Sequence, residues 1–323
     1  MRFKQENEKD VQEVNESPYR VATNFPSELG KLAVITCSTS GLGFEIALAL
    51  AQAGADVVVT GRHAAEGHEA LAKIRPSAPH ALVRFEKLDL HSLASVSAFA
   101  ARMAQLGRPV DLLINNACTL VLLKRELTAD GFELHLGTNF LSHFALTARL
   151  LPLLRSSKEP RVVQLTSTGR HHGEIHLEDL HLASGYTPLK AYSQSKLAML
   201  IFAVELQRRS DAQHWALMVN SAQPIGARAA AIANATEVTG SMTWYRRALG
   251  FVPGRSSGGA LQTLLATTER EDQQEKALAA KSLSELIGPA APEAIDLRVL
   301  DPVMGSKLWD VATELTRSSW REA

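Results

Sequence analysis

From residue 31 to residue 222, short apolar runs alternate with longer stretches in which apolar residues recur every three or four positions. LAVIT (32–36), ADVVVTG (55–61) and VDLLINNA (110–117) are nearly continuous in apolar, β-branched residues. That is the pattern of parallel strands buried on both faces. ALVRFEKLDL (81–90), RVVQLTS (161–167) and WALMVNSAQP (215–224) have the length and composition of three more strands. Helical spacing fills the intervals: FEIALALAQAG (44–54) with a glycine stop, residues 63–74, HSLASVSAFAARMAQLG (91–107) capped by Ser92, residues 131–154 and residues 191–209. Strand and helix alternating in this way predict an α/β fold with a doubly wound parallel sheet. Its ligand is expected at the carboxyl ends of the strands, at the topological switch point. Residues 1–29 read as a polar extension, and residues 30–323 as one domain.

Composition narrows the function classes. The 323 residues carry 34 basic and 34 acidic side chains, for a formal net charge of zero, so nothing marks a nucleic-acid or anionic-membrane partner. No apolar run reaches the roughly 18 residues that span a bilayer. The polar, charged first twenty residues lack the apolar core of a secretory signal, and a cytoplasmic location is the expectation. Two cysteines, Cys37 and Cys118, are too few for a disulfide scaffold.

The chemistry gathers at predicted strand ends. VITCSTSGLG (34–43) runs from the first strand into a glycine turn and a helix, where backbone N–H groups and the positive helix end suit a pyrophosphate. Gly41 and Gly43 permit close approach, and Ser38, Thr39 and Ser40 add hydroxyls able to reach phosphate or ribose. The second strand ends in TGRH, with Arg62 where an acid would accept the ribose 2′-hydroxyl of NAD. A guanidinium suits a 2′-phosphate, so NADP(H) is the expected cofactor over NAD; the alternative is a solvated surface arginine. Asp89 stands either to meet an adenine amine or to cap the next helix. Asn115 and Asn116 end the fourth strand, placed to pin neighbouring loops. Tyr192 and Lys196, four apart, project from one helix face. An ammonium there lowers the pKa of a tyrosine from its ordinary value of about 10. Ser167, at the end of the fifth strand, can polarise a carbonyl oxygen, and Asn139 can hold the lysine through a water. His143 reads as a packing or surface residue. His171, His172, His176 and His181 lack a cysteine or clustered acid to complete a ligand set, so no metal is expected.

With these residues in place, the chain resembles the short-chain dehydrogenase/reductase family, whose turn is T-G-x-x-x-G-x-G, whose fourth strand ends N-N-A-G, and whose active site is Asn, Ser, Tyr and Lys. The resemblance covers nearly all of residues 30–318 and is nearest the retinol dehydrogenase-like branch, through LTADGFELHLGTNFLSHFALT, STGRHHGEIHLEDL and LDPVMGSKLWDVATELT. It implies a Rossmann fold in a single domain with a small variable substrate lid at about 226–256, where Trp244, Tyr245 and Phe251 would form an apolar wall and Arg246 and Arg247 stand beside it. It implies catalysis by Asn139, Ser167, Tyr192 and Lys196. It also implies cofactor contacts from Cys37, Ser38, Thr39, Ser40, Gly41, Leu42, Gly43, Arg62, Asp89, Leu90, Asn116, Ala117, Tyr192, Lys196, Pro224 and Ile225. The expected activity interconverts a carbonyl and an alcohol on a hydrophobic small molecule, in a monomer or homodimer.

Three positions depart from the family pattern: Cys37 and Cys118 stand for glycines, and Ile225 follows Pro224 where glycine is usual. Each adds a side chain beside the cofactor, and strain if the backbone there has φ > 0. Tolerated drift, weakened cofactor use and a disulfide gating the turn are the three explanations. Weakened use would favour non-redox acid–base chemistry on the same scaffold; a nucleotide-responsive regulatory protein is a further alternative.

Overall fold

The computed structural model describes residues 26–119, 124–222 and 297–320. The apolar runs form six strands: β1 (Leu32–Ile35), β2 (Asp56–Gly61), β3 (Val83–Lys87), β4 (Leu112–Asn115), β5 (Arg161–Leu165) and β6 (Met218–Ala222). They make one parallel sheet in the order β3-β2-β1-β4-β5-β6. The order reverses between β1 and β4, where Ile35 pairs with Ile114, and that junction opens the crevice for a ligand.

Successive strand residues face opposite sides of the sheet and feed two separate cores. Ala33, Ile35, Val57, Val59, Leu112 and Ile114 pack under α1 (Gly41–Gln52) and α2 (Ala64–Ile74). Leu32, Val34, Val58, Leu113 and Val162 pack on the other side against α3 (Leu93–Gln105), α4 (Ser142–Arg155), α5 (Pro188–Gln213) and α6 (Pro302–Thr316). Both faces are covered, which is why the strands read as unbroken apolar runs. Ser92 caps α3 as expected, its side chain accepting from Ser95 N.

The helix expected over 131–154 is two elements. A π-helical turn, Leu136–Leu141, precedes α4. At the other boundary, Glu28 lies inside the domain: it is 1% exposed, its N–H donates to Ala53 O, and its carboxylate pairs with Lys31. Among the described residues no helix is long and apolar enough to cross a membrane. Pro224, Ile225 and the 226–256 segment with Trp244, Tyr245, Arg246, Arg247 and Phe251 lie outside the described residues.

Candidate active site

The glycine turn joins β1 to α1 across the switch point. Ser40, the residue before the helix, is extended and its side chain caps nothing; the first turn of α1 carries no acid. Gly41 has φ +59°, and nothing lies within 4 Å of where a Cβ would stand, so its backbone faces open space. Gly43 is required for a different reason: a Cβ there would collide with the Cys37 carbonyl and sit 2.6 Å from Asn116 Nδ2. Asn116 pins the turn as expected, Nδ2 donating to Thr36 O at 2.7 Å and to Cys37 O at 3.0 Å. Asn115 faces inward instead and donates to Thr147 and Gln164.

The three hydroxyls of the turn divide. Ser38 is fully buried, donates to Ile35 O at 2.8 Å and accepts from Thr60 N at 2.9 Å, so it closes the strand end rather than facing a phosphate. Thr39 is half-buried and Ser40 exposed at the turn's surface. Asp89 accepts from His91 N and closes the loop after β3, while Leu90 is buried, its carbonyl accepting from Ser142 Oγ. Arg62 is exposed just after β2. Its positive charge is felt at both Cys37 and His91. Leu42 packs on the α1 side, and Ala117 N donates to Thr36 Oγ1.

Cys37 has φ +52°, the left-handed conformation for which glycine is the natural residue. Cys37 and Cys118 are both free thiols, at the ends of neighbouring strands. Surrounding protein pushes the Cys37 thiol up and the Arg62 guanidinium pulls it down, with Cys118 adding an upward push. The residue is nonetheless exposed, and water screens these effects.

The reactive side chains converge on Gly169. Ser167 stands two residues beyond β5, is 2% exposed and caps the short turn Thr168–His172 by accepting from Gly169 N at 3.1 Å. Its own proton stays available to an incoming oxygen. Tyr192 is equally buried on α5, and a Cβ built on Gly169 would stand 2.8 Å from Tyr192 Cε1 and 3.4 Å from Ser167 Oγ. Only a hydrogen at this position lets the phenol ring and the serine hydroxyl share one site. Lys196, one turn further along α5, is 3% exposed and donates to Leu165 O at 3.0 Å, leaving two of its three N–H donors.

Asn139 sits fully buried in the π-helical turn. Its carboxamide accepts from Thr119 N at 2.7 Å and donates to Ser195 Oγ at 2.9 Å; Ser195 in turn donates to Tyr192 O at 2.7 Å. Asn139 thus holds the backbone of Tyr192 through Ser195. Of the two expectations for His143, packing or surface, the first holds: it is fully buried and hydrogen-bonded through both nitrogens.

A family model described as short chain dehydrogenase matches residues 31–238. The chain belongs to the short chain dehydrogenase family. It is 43% identical over 204 residues to a polyprenol dehydrogenase of Mus musculus, a match covering 62% of this chain and 61% of that protein. It is 40% identical over 180 residues to retinol dehydrogenase 11 of Mus musculus, covering 56% and 57%. The chain therefore spans less than two thirds of the length of these curated relatives. Among solved structures, an uncharacterized protein from Mycobacterium Paratuberculosis is 32% identical with a TM-score of 0.72, covering 94% of this chain and 99% of its own. A short chain dehydrogenase from Shigella flexneri 2A str. 301 complexed with NADP is 21% identical, with a TM-score of 0.56 over 76% of this chain and 93% of its own; it shares the fold.

The family uses nicotinamide cofactors, and the residues here fit one. The turn before α1 offers N–H groups that no side chain caps, no acid opposes a phosphate in the first helical turn, and Gly41 presents bare backbone. Gly169, Ser195 and Thr36 also stand at the site, beyond the residues expected from the sequence. Gly169 stands two residues after Ser167 in STG, and Ser195 lies between Tyr192 and Lys196, so both are marked by position; the part played by Thr36 is visible only in three dimensions. Among the described residues no three His, Cys, Asp or Glu side chains group to hold a metal. His181 instead stacks on Phe132 with ring centroids 5.8 Å apart.

Proposed function

We propose that this chain is an NADP(H)-preferring oxidoreductase that interconverts an alcohol and its carbonyl on a hydrophobic small molecule, with polyprenol- and retinol-like compounds as the first to test. The observation that carries the reading is the meeting of Ser167 and Tyr192 across Gly169, beside Lys196, at the carboxyl end of β5. A bound nicotinamide supplies or accepts the hydride. Tyr192 gives its phenol proton to the carbonyl oxygen in reduction and takes it back in oxidation, and the Ser167 hydroxyl steadies the same oxygen. Lys196 holds its ammonium near Tyr192 and favours the phenolate left behind. Arg62, exposed just after β2 where an NAD-selecting enzyme carries an acid, supports the preference for a 2′-phosphate. The relatives named for polyprenol and retinol support the substrate class.

The test is a titration of NADPH and NADH, followed by turnover of all-trans-retinal by wild type and Tyr192→Phe. NADPH is expected to bind more tightly than NADH. The variant is expected to lose about 100-fold or more in kcat, by removal of a positioned general acid, with cofactor affinity within about twofold. Full activity in Tyr192→Phe rules out the assigned chemistry.

A further inference from the structure

His143 lies in the first turn of α4, four residues after Asn139, with no exposed surface. Its Nδ1 is 2.9 Å from the Asn139 carbonyl oxygen, and its Nε2 is 3.0 Å from Thr36 Oγ1. A carbonyl oxygen only accepts, so Nδ1 carries a proton. Thr36 Oγ1 already accepts the backbone N–H groups of Asn116 and Ala117, each at 2.8 Å. With both lone pairs engaged, the hydroxyl must donate, and His143 Nε2 at 3.0 Å is better placed than Ile114 O at 3.4 Å. The donor and acceptor count closes on one arrangement: a neutral imidazole, Nδ1–H to Asn139, Nε2 receiving from Thr36. Burial agrees, driving His143 down to about 4; the bond to Asn139 opposes this and the Lys196 charge adds to it.

The two partners belong to the two halves of the site. Thr36 immediately precedes Cys37 and is tied to Asn116, so it anchors the cofactor turn. Asn139 leads through Ser195 to the backbone of Tyr192. We propose that His143 is a positioning residue that joins the cofactor turn to the proton-transfer group, holding Thr36 and the π-helical turn at one fixed spacing. The proposal rests on the oxidoreductase reading above and adds to it a residue that touches neither cofactor nor substrate.

Two amide substitutions separate the halves. In His143→Gln the amide reaches about as far as Nε2 and retains a partner for Thr36. In His143→Asn it reaches about as far as Nδ1 and retains a donor to the Asn139 carbonyl. The experiment measures the NADPH dissociation constant, kcat with all-trans-retinal and the melting temperature for wild type, both variants and His143→Leu. Loss of one buried hydrogen bond is expected to change its own parameter by about 5- to 10-fold. His143→Gln then lowers kcat with NADPH affinity within about twofold, His143→Asn weakens NADPH with kcat nearly kept, and His143→Leu does both. A merely structural role lowers the melting temperatures without this split, and amide variants that match wild type or that each change both parameters in parallel overturn the proposal. Should His143→Leu fail to fold, the two amide variants decide. If wild type binds NADPH but does not reduce retinal, the affinity contrast between Asn and Gln decides. A wild type that binds neither nicotinamide cofactor ends the oxidoreductase reading, and this proposal with it.

Discussion

At Cys37 the backbone takes φ +52° although the side chain has a Cβ. A left-handed conformation costs an L-residue about 1–2 kcal/mol, while glycine gives back about 0.4–1 kcal/mol through greater freedom of the unfolded chain. Cys37→Gly is therefore expected to stabilise the protein by up to about 1.5 kcal/mol, read from the midpoint of urea unfolding; a lower midpoint would mean that side-chain contacts outweigh the strain. His143 sets a second expectation at this scale. Its folded pKa is near 4 against an unfolded value of about 6.5, so below pH 6.5 the unfolded chain binds a proton that the folded one refuses. Stability is thus unaffected by this group above about pH 6.5 and falls by on the order of 3 kcal/mol as pH drops towards 4. Burial lowers His91 and His181 as well, with the same sign. Urea unfolding at pH 7 and pH 4.5 should show a smaller loss in His143→Asn than in wild type.

Among the elements, two short turns decide the site. The turn Thr168–His172 begins at Ser167 and lays Gly169 against the Tyr192 ring. A methyl there must displace a buried ring held in a packed core, and a small misplacement of a proton donor costs much of its effect. Gly169→Ala is expected to lower kcat by about 10- to 100-fold and to cost about 1–3 kcal/mol in urea unfolding; wild-type kcat would show that the ring yields freely. The π-helical turn Leu136–Leu141 is the other. Its sequence, LGTNFL, carries the same apolar recurrence as the helix around it, so periodicity predicts a single helix over 131–154. The wider hydrogen-bonded loop is imposed by what it carries: Asn139 must reach both Thr119 and Ser195.

Across the whole molecule, the C-terminal helix completes the core behind the site. Trp309 of α6 meets Phe144 at 5.0 Å, Phe202 at 5.9 Å and Trp320 at 4.3 Å between ring centroids, and the Arg209 guanidinium lies over the Trp309 ring, 4.4 Å from its centroid. Phe140, one residue from Asn139, packs in the same cluster against Phe144 and Phe202. Nearby, Arg298 donates to the Gly173 and His171 carbonyls, bracing the loop that follows Ser167. Emptying this cluster by Trp309→Ala is expected to cost about 3–5 kcal/mol in urea unfolding. A loss below about 1 kcal/mol would mean that α6 docks independently of its tryptophan.

The succession of strands and helices along the chain, the two-sided burial of the sheet and the places of Gly41, Gly43, Asn116, Ser167, Tyr192 and Lys196 follow from local pattern, because strand period, helix period and turn chemistry are written over a few adjacent residues. Ser38 shows where such reading stops: its hydroxyl type suited a phosphate, but only the fold reveals that Thr60 N and Ile35 O already engage it. His143 shows the same limit from the other side. Its partner Thr36 lies 107 residues away in the chain, and the tautomer that makes it a joint follows from counting hydrogen bonds among three strand and helix ends. Short-range composition determined which elements form and which groups stand at their ends. Long-range packing decided which of those groups remain open to a ligand and which are closed on one another.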